Sequence, residues 1–183
     1  MTPAPAILPA MTQDIRMTDA AIDTPFVSTS LKVQSGWIDN NGHMNVAFYP
    51  RAFDLAFDEV YVRLAIGQEM VSTANTSTFA SEMHLTFQGE VFEGDPLRIT
   101  TQLVGLDAKK FHWFQAMYHG EKGYLAATCE WMILFVDMIQ RRVSTMPDDV
   151  KARLEQVLAA HSQLPPPPEV GRFISMQNRR RAG

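Results

Sequence analysis

Hydrophobic residues recur with one spacing in the first part of the chain and with another in the second, and the first spacing predicts a long helix. Over residues 46–66, apolar side chains recur at the three- and four-residue spacing of an α-helix: Phe53, Ala56, Phe57, Val60 and Leu64. Further apolar residues occupy much of the remaining circumference, so we expect burial on most sides. Pro50 fits a helix only in its first turn, which places the start at residues 45–49. Gly67 stands where the helix is expected to end.

Downstream of this helix the period changes to two, which predicts β-strands. In residues 79–87, one face of the strand is predicted to carry the apolar side chains Phe79, Met83, Leu85 and Phe87. The other face is predicted to carry Glu82, His84 and Thr86. Further strands are predicted at residues 97–106, 111–119 and 124–136, with a first strand near 26–33 and a last helix at 147–160. Short connections favour an antiparallel arrangement, so the predicted class is α+β, with a five-stranded antiparallel sheet wrapped around one long apolar helix and a C-terminal helix.

The two ends of the chain lack this periodicity. Residues 1–25 are rich in proline and small residues, which indicates a flexible arm. Pro165 to Pro168 can neither continue a helix nor join a sheet ladder. We therefore predict one domain at residues 26–163, followed by a proline-rich, basic and disordered tail at residues 164–183.

Composition narrows the class of partner. The chain has 46% apolar and 20% charged residues, which is typical of a globular protein. A formal charge of −4 gives no field that would gather nucleic acid. We see no signal-peptide pattern and no apolar run of the roughly 18 residues that a membrane span needs. The single cysteine, Cys129, allows no intramolecular disulfide, so we expect a cytoplasmic protein without membrane or nucleic-acid partners.

The most informative segment is GWIDNNGHMN at residues 36–45, which leads into the predicted helix. It resembles the signature of the 4-hydroxybenzoyl-CoA thioesterase-like hotdog family, D-x-D-x-x-G-H-V-N-N, in which an Asp stands three residues before a Gly. Asp39 matches that Asp, whereas Trp37 replaces the first acidic residue. Together with SEMH at residues 81–84, the segment is similar to the branch of betainyl-CoA thioesterases associated with carnitine and betaine breakdown. The resemblance covers roughly residues 31–147.

The resemblance implies a hotdog fold and an acyl-CoA thioesterase that hydrolyses a small or medium acyl-CoA. It implies a homodimer or homotetramer with sites between subunits, and no cofactor beyond the CoA of the substrate. The catalytic carboxylate would be Asp39, acting as a general base on water or as a nucleophile. A backbone N–H at residues 44–48, near the start of the helix, would stabilise the oxyanion.

Other side chains are candidates with alternatives that the sequence leaves open. The catalytic candidates are Asp39, His43 and Glu82, and the substrate-binding candidates are Asn45, Tyr49, His84 and Trp37. Asp39 is also compatible with a turn in the D-N-N-G stretch, although the resemblance favours the catalytic role, and the N-cap of the helix is the preferred role of Asn45. Glu82 either binds a cationic acyl group or tunes a proton transfer beside His84, unless both belong to a solvent-facing stripe. Weaker candidates are His112, Glu130 and Asp137.

Several other chemistries lack their sequence patterns. Five scattered histidines and one cysteine have no metal-ligand spacing, so no metal is predicted. Ser72 has no G-x-S-x-G context, and glycine-rich phosphate loops are absent from the sequence. Surface cations available for the CoA nucleotide are Lys109, Lys110, Arg141 and Arg142. The rival functions are a hotdog hydratase or dehydratase and a non-catalytic acyl-CoA-binding module. A thioesterase releases free CoA thiol, whereas the binding module does not.

Overall fold

The computed structural model describes residues 22–176. The helices are α1 (Phe48–Leu64), α2 (Gln68–Ala74) and α3 (Asp148–His161). The strands are β1 (Phe26–Ser28), β2 (Thr76–Phe87), β3 (Leu97–Leu106), β4 (Lys110–His119), β5 (Leu125–Asp137) and β6 (Arg142–Val143). All of their pairings are antiparallel, in the order β1-β3-β4-β5-β2, with β6 paired to β5. None of the described helices is long and apolar enough to cross a membrane.

The predicted α+β layout is confirmed, with one long helix packed on an antiparallel sheet. Three details differ from the prediction. The first strand is only three residues long, because residues 29–33 contribute a single bridge between Lys32 and Pro96. The sheet has six described strands rather than five, since the chain returns after Arg141 to form the two-residue β6. Helix α2 is also additional, and its seven residues are too few to give a readable period.

Helix α1 ends earlier than predicted. Ala65 takes the left-handed conformation (φ 49°), and its N–H donates to the carbonyls of Tyr61 and Val62. This conformation was expected at Gly67, which instead precedes α2 with a φ of 104°. The prediction for the start is confirmed, because Pro50 is the third residue of α1 and loses no hydrogen bond there.

The core lies between α1 and the inner face of the sheet. The helix buries one apolar side chain after another against β3, β4 and β5: Tyr49, Phe53, Phe57, Val60 and Leu64. Phe57 meets the rings of Trp113 and Trp131 edge-on at 6.0 and 5.5 Å between centroids. Gln115, on β4, donates from its side-chain amide to the Phe53 carbonyl. Burial and this polar tether hold α1 in one position on the sheet.

Strand β2 lies at the edge of the sheet and contains a bulge. Its register against β5 shifts between Ala80 and Glu82, so that Ala80 faces Ile133 and Met83 faces Trp131. The bulge resets the alternation, which moves Phe79 to the outer face, where the Arg141 guanidinium lies 5.6 Å from its ring. The prediction that Phe79 shares a face with Met83 is therefore wrong. The middle of β2, residues 79–83, is exposed along its whole length.

Contacts with the core extend past both predicted domain limits. Upstream, Asp23 forms an ion pair with Arg63 at 2.6 Å, and its carbonyl lies 2.9 Å from Nε2 of His161. Downstream, the Gly171 N–H donates to both carboxylate oxygens of Glu130, at 3.0 and 2.9 Å. The limits at residues 26 and 163 stay a prediction. Most of the predicted arm (residues 1–21) and the end of the predicted tail (residues 177–183) lie outside the described residues.

Candidate active site

The D-N-N-G stretch forms a tight turn around Asp39. The Gly42 N–H donates to the Asp39 carbonyl at 3.0 Å, and the Asp39 N–H donates to the His43 carbonyl at 3.1 Å. The carboxylate takes part as well, since Oδ1 accepts the Asn41 N–H at 2.8 Å. Within residues 22–176, the second oxygen, Oδ2, accepts no hydrogen bond. Asp39 therefore has the turn role that the sequence left open, and still presents one carboxylate oxygen for chemistry.

Backbone hydrogen bonds hold this turn at the end of the sheet. The Met44 N–H donates to the Val91 carbonyl at 2.9 Å, and the Asn45 N–H donates to the Trp37 carbonyl at 2.8 Å. Ile38 and Met44 face each other across an isolated bridge. The Trp37 ring stacks on Phe48, at 5.7 Å between centroids and 10° between planes. Asp39 is thus fixed beside the first turn of α1.

The backbone N–H groups that lead into α1 differ in whether they have a hydrogen-bond acceptor. Asn45 was expected as the N-cap, but Ala47 holds that position, and the Asn45 side chain accepts the Ala47 N–H at 2.9 Å. The Asn45 carbonyl accepts the Phe48 N–H at 3.0 Å. Of the predicted donors at residues 44–48, Val46 has no acceptor for its N–H in the described part of the chain. This amide lies at the positive end of the α1 dipole.

A cavity of about 380 Å³ opens beside this amide. It lies between the start of α1 and the loop that follows β2, and its lining is His43, Met44, Val46, Tyr49, Phe87, Gln88, Gly89 and Glu90. Two of the predicted site residues, His43 and Tyr49, therefore share one cavity. The Tyr49 ring meets Phe87 edge-on at 5.1 Å.

Burial and nearby acidic groups both act on the Tyr49 hydroxyl. Burial raises the pKa of Tyr49, and the charges of Tyr124, Glu90 and Asp39 raise it further. The hydroxyl therefore stays protonated at neutral pH, and it lies within electrostatic reach of both carboxylates. His43 faces the same region, with Nε2 at 3.9 Å from Oε1 of Glu90 and Nδ1 at 3.3 Å from the Met44 carbonyl.

Glu90 is the cavity residue that the sequence reasoning missed. It follows β2 in a loop without hydrophobic periodicity, so the pattern of the chain gives it no face. The nearest sequence signal is Gly89, where an added Cβ would lie 3.0 Å from the Tyr124 ring. A glycine required at this point indicates a tightly packed loop. It does not indicate that the next side chain, Glu90, lines a cavity.

Glu82 and His84 are not brought to Asp39 within one chain. They face away from α1, because His84 lies opposite Glu130 and Glu82 opposite Met132 on the outer face of the sheet. There they line a separate cavity of about 250 Å³ with Glu130 and His112, whose Nε2 lies 2.7 Å from the Glu130 carboxylate. Both assignments stay predictions, now attached to a second cluster.

The remaining candidates have structural surroundings. Asp137 accepts the N–H groups of Ile139 and Gln140, both at 2.8 Å, and so shapes the turn after β5. Trp113 is fully buried in the core. Among residues 22–176, no group of three or more His, Cys, Asp or Glu side chains is arranged to hold a metal ion.

Comparison with known proteins identifies relatives of the chain. Residues 33–154 match the family model of the thioesterase-like superfamily. The betainyl-CoA thioesterase of Pseudomonas aeruginosa is 36% identical over 140 residues, which cover 76% of this chain and 88% of the relative. An L-carnitine dehydrogenase/betainyl-CoA thioesterase of Rhizobium sp is 30% identical over 80% of this chain, which spans only 29% of that longer protein.

Solved structures show the same fold. A hypothetical protein of Staphylococcus aureus, solved in complex with CoA, matches with a TM-score of 0.76 and 25% identity, over 87% of this chain and 99% of that chain. The 1,4-dihydroxy-2-naphthoyl-CoA thioesterase of Synechocystis matches with a TM-score of 0.64 and 13% identity, over 74% and 96%. The second likeness concerns the fold alone.

Proposed function

The chain belongs to the thioesterase-like superfamily and is an acyl-CoA thioesterase, and from this premise we propose that Asp39 supplies the carboxylate that drives hydrolysis. The observation that carries the proposal is the position of this side chain. One oxygen of Asp39 accepts the Asn41 N–H, whereas the other accepts no hydrogen bond from the described residues, and the Asp39 charge acts on Tyr49 in the first turn of α1. A carboxylate held in one orientation is suited to act on a bound thioester.

The Val46 N–H is our proposed oxyanion donor. When the thioester carbonyl is attacked, its oxygen becomes negative and needs a donor that is already oriented. The Val46 amide has no other acceptor among residues 22–176, lines the cavity and benefits from the α1 dipole. A helix N-terminus provides this stabilisation without reorganisation during the reaction.

Two routes use the same groups. As a base, Asp39 would take a proton from water while the resulting hydroxide attacks the carbonyl carbon. The carbon–sulfur bond then breaks, and the departing CoA thiolate takes up the proton. As a nucleophile, Asp39 would attack the carbonyl carbon and expel CoA thiolate as the carbon–sulfur bond breaks, leaving a mixed anhydride; water then opens the anhydride, which regenerates the carboxylate and supplies the proton that the thiolate takes up. In either route His43 would orient the carboxylate or the thioester. Water and side chains would suffice for hydrolysis, so no cofactor is needed beyond the CoA of the substrate.

The acyl group that we propose is betaine, with its trimethylammonium group. A relative that is 36% identical over most of both chains is a betainyl-CoA thioesterase. Glu82 was expected to bind such a cation, but it lies with the outer-face cluster rather than in the cavity beside Asp39. Trp37 and Asn45 shape the motif through the Phe48 stacking and the Ala47 hydrogen bond, and we propose that they border the substrate.

We further propose a homodimer joined through β2. Among the described strands, β2 pairs with β5 alone, and its middle carries the exposed apolar side chains of Phe79 and Met83. An unpaired edge of twelve residues is a template for pairing with a second copy. A homotetramer would place two such dimers together, and the expected cytoplasmic location stays a prediction.

Release of free thiol tests the proposed function. The full-length protein should release CoA from betainyl-CoA, followed with a thiol-reactive dye. A binding module would retain the ester unchanged, and a hydratase would alter an unsaturated acyl chain without release of thiol. Tight acyl-CoA binding without free CoA would reject the thioesterase assignment.

A further inference from the structure

The loop that carries Glu90 is held in place by three hydrogen bonds. The backbone N–H groups of Gln88 and Gly89 both donate to the Ala126 carbonyl, at 2.8 and 3.0 Å. The Tyr124 hydroxyl donates to the Glu90 carbonyl. Tyr124 also packs against Gly89 so closely that a Cβ there would lie 3.0 Å from its ring. The backbone of Glu90 is therefore fixed, and its side chain lines the cavity beside α1.

The other walls of this cavity suit a bulky, weakly hydrated cation. Phe87 is 51% exposed although it is apolar, and it meets the Tyr49 ring edge-on. Aromatic rings attract quaternary ammonium groups through their faces. Among the described residues, the lining contains no lysine or arginine. Glu90 is thus the carboxylate that lines this cavity.

The electrostatics of Tyr49 support the same conclusion. The charges of Glu90 and Asp39 both contribute to raising the pKa of this hydroxyl, after burial and Tyr124. Both carboxylates therefore act on the Tyr49 hydroxyl, and their negative charge favours a positively charged group beside it. Asp39 is outside the residues that line the cavity, whereas Glu90 is one of them, on the loop that follows β2.

We propose that Glu90 is the residue that recognises the cationic head of the acyl group, with Phe87 and Tyr49 packed against its methyl groups. This inference rests on the proposed thioesterase function and adds a specificity-determining residue to it. The Glu90 side chain is 66% exposed in the free enzyme, so a bound trimethylammonium group would cover it and strengthen the attraction. Glu82 lies on the outer face of the sheet and outside the lining of this cavity.

Two isosteric substrates separate charge from shape. Betainyl-CoA and 3,3-dimethylbutyryl-CoA differ by replacement of the quaternary nitrogen with carbon. The parent enzyme should prefer the cation in kcat/KM. Glu90→Gln should lower kcat/KM for betainyl-CoA on the order of 10-fold, equal to about 1.4 kcal/mol, while changing the neutral ester less than about 2-fold. Glu90→Asp should retain part of the preference because it keeps the charge.

Glu155→Gln is the matched control, since it neutralises an exposed carboxylate on α3 that is outside the lining of the cavity. It should leave the preference unchanged, and loss of the preference in this variant would overturn the assignment to Glu90. An equal fall on both esters in Glu90→Gln would also overturn it, because a residue that acts through His43 does not distinguish the substrates. A parent that hydrolyses both esters equally refutes cation recognition and leaves the thioesterase intact. A parent that hydrolyses neither refutes the proposed function itself.

Discussion

Replacement of Gln115 by methionine should destabilise the fold through loss of a buried polar network. The side chain is fully buried, and it joins three elements. Its Oε1 accepts the indole N–H of Trp131 at 2.9 Å, and its Nε2 donates to the Phe53 carbonyl and the Thr101 hydroxyl, each at 3.1 Å. Methionine has a similar volume but cannot make these bonds, so the variant isolates hydrogen bonding from packing.

The magnitude follows from the groups that lose their partner. A buried donor without an acceptor costs about 1–3 kcal/mol, and this applies to the Trp131 indole. The hydrogen bonds to the Thr101 hydroxyl and the Phe53 carbonyl each lose a net contribution of about 1 kcal/mol or less. The loss at Phe53 is small because its carbonyl keeps its partner within the helix. We expect a total of about 3 kcal/mol, which corresponds to roughly 6–12 °C in Tm for a domain of this size.

Urea unfolding of parent and variant at equal protein concentration measures this difference. The matched control is Gln156→Met on the exposed face of α3, which should change the free energy of unfolding by less than about 0.5 kcal/mol. A loss below about 1 kcal/mol in Gln115→Met, with an unchanged m-value, would refute the network as a determinant of the α1 position.

Three further predictions concern the oxyanion donor, the sheet edge and a buried histidine. Val46→Pro removes the proposed amide donor and should lower kcat on the order of 10²-fold, whereas Val46→Ala keeps the N–H and should lower it much less. Met83→Lys places a charge on the exposed edge of β2 and should give a light-scattering mass near one 20.6 kDa chain, in contrast to a dimeric parent. Burial lowers the pKa of His161 below its ordinary value of 6.5. The neutral His161 ring accepts the Leu103 N–H, so its contribution to stability should be complete above about pH 6.5 and should decline as the pH falls toward the folded pKa. If urea midpoints are measured as a function of pH, His161→Gln should show a smaller decline than the parent over this range.

The elements that the sequence predicted well are the long periodic ones. Helix α1 and strands β3, β4 and β5 lie within one or two residues of their predicted bounds, because each buries a regular face against the core. Helix α2 and strand β6 are too short to show a period. The end of α1 was misplaced because Ala65, rather than the glycine two residues later, takes the left-handed conformation.

In the candidate site too, residues placed by a local sequence pattern were predicted, and residues placed by long-range contacts were not. Asp39, His43 and Tyr49 lie near one another because a contiguous motif leads directly into a helix, and local sequence encodes local geometry. Glu82 became a candidate through the SEMH segment and its place two residues from His84 on one strand face, and the register against β5 assigns it to the outer face. Glu90 was missed because its position depends on Tyr124, 34 residues away, and no local pattern encodes that contact.

The central claim is that Asp39 carries the chemical step, and turnover by Asp39→Asn tests it most directly. Asparagine can still accept the Asn41 N–H, so the turn and the Tm should be unchanged. We predict a fall in kcat on the order of 10²-fold or more, which corresponds to about 2.7 kcal/mol or more of lost transition-state stabilisation. Asp107→Asn is the matched control, because Asp107 also accepts backbone N–H groups in a turn, at 2.8 and 2.9 Å, but lies away from the cavity. An Asp39→Asn variant that melts like the parent and keeps more than about half of its kcat would contradict the account.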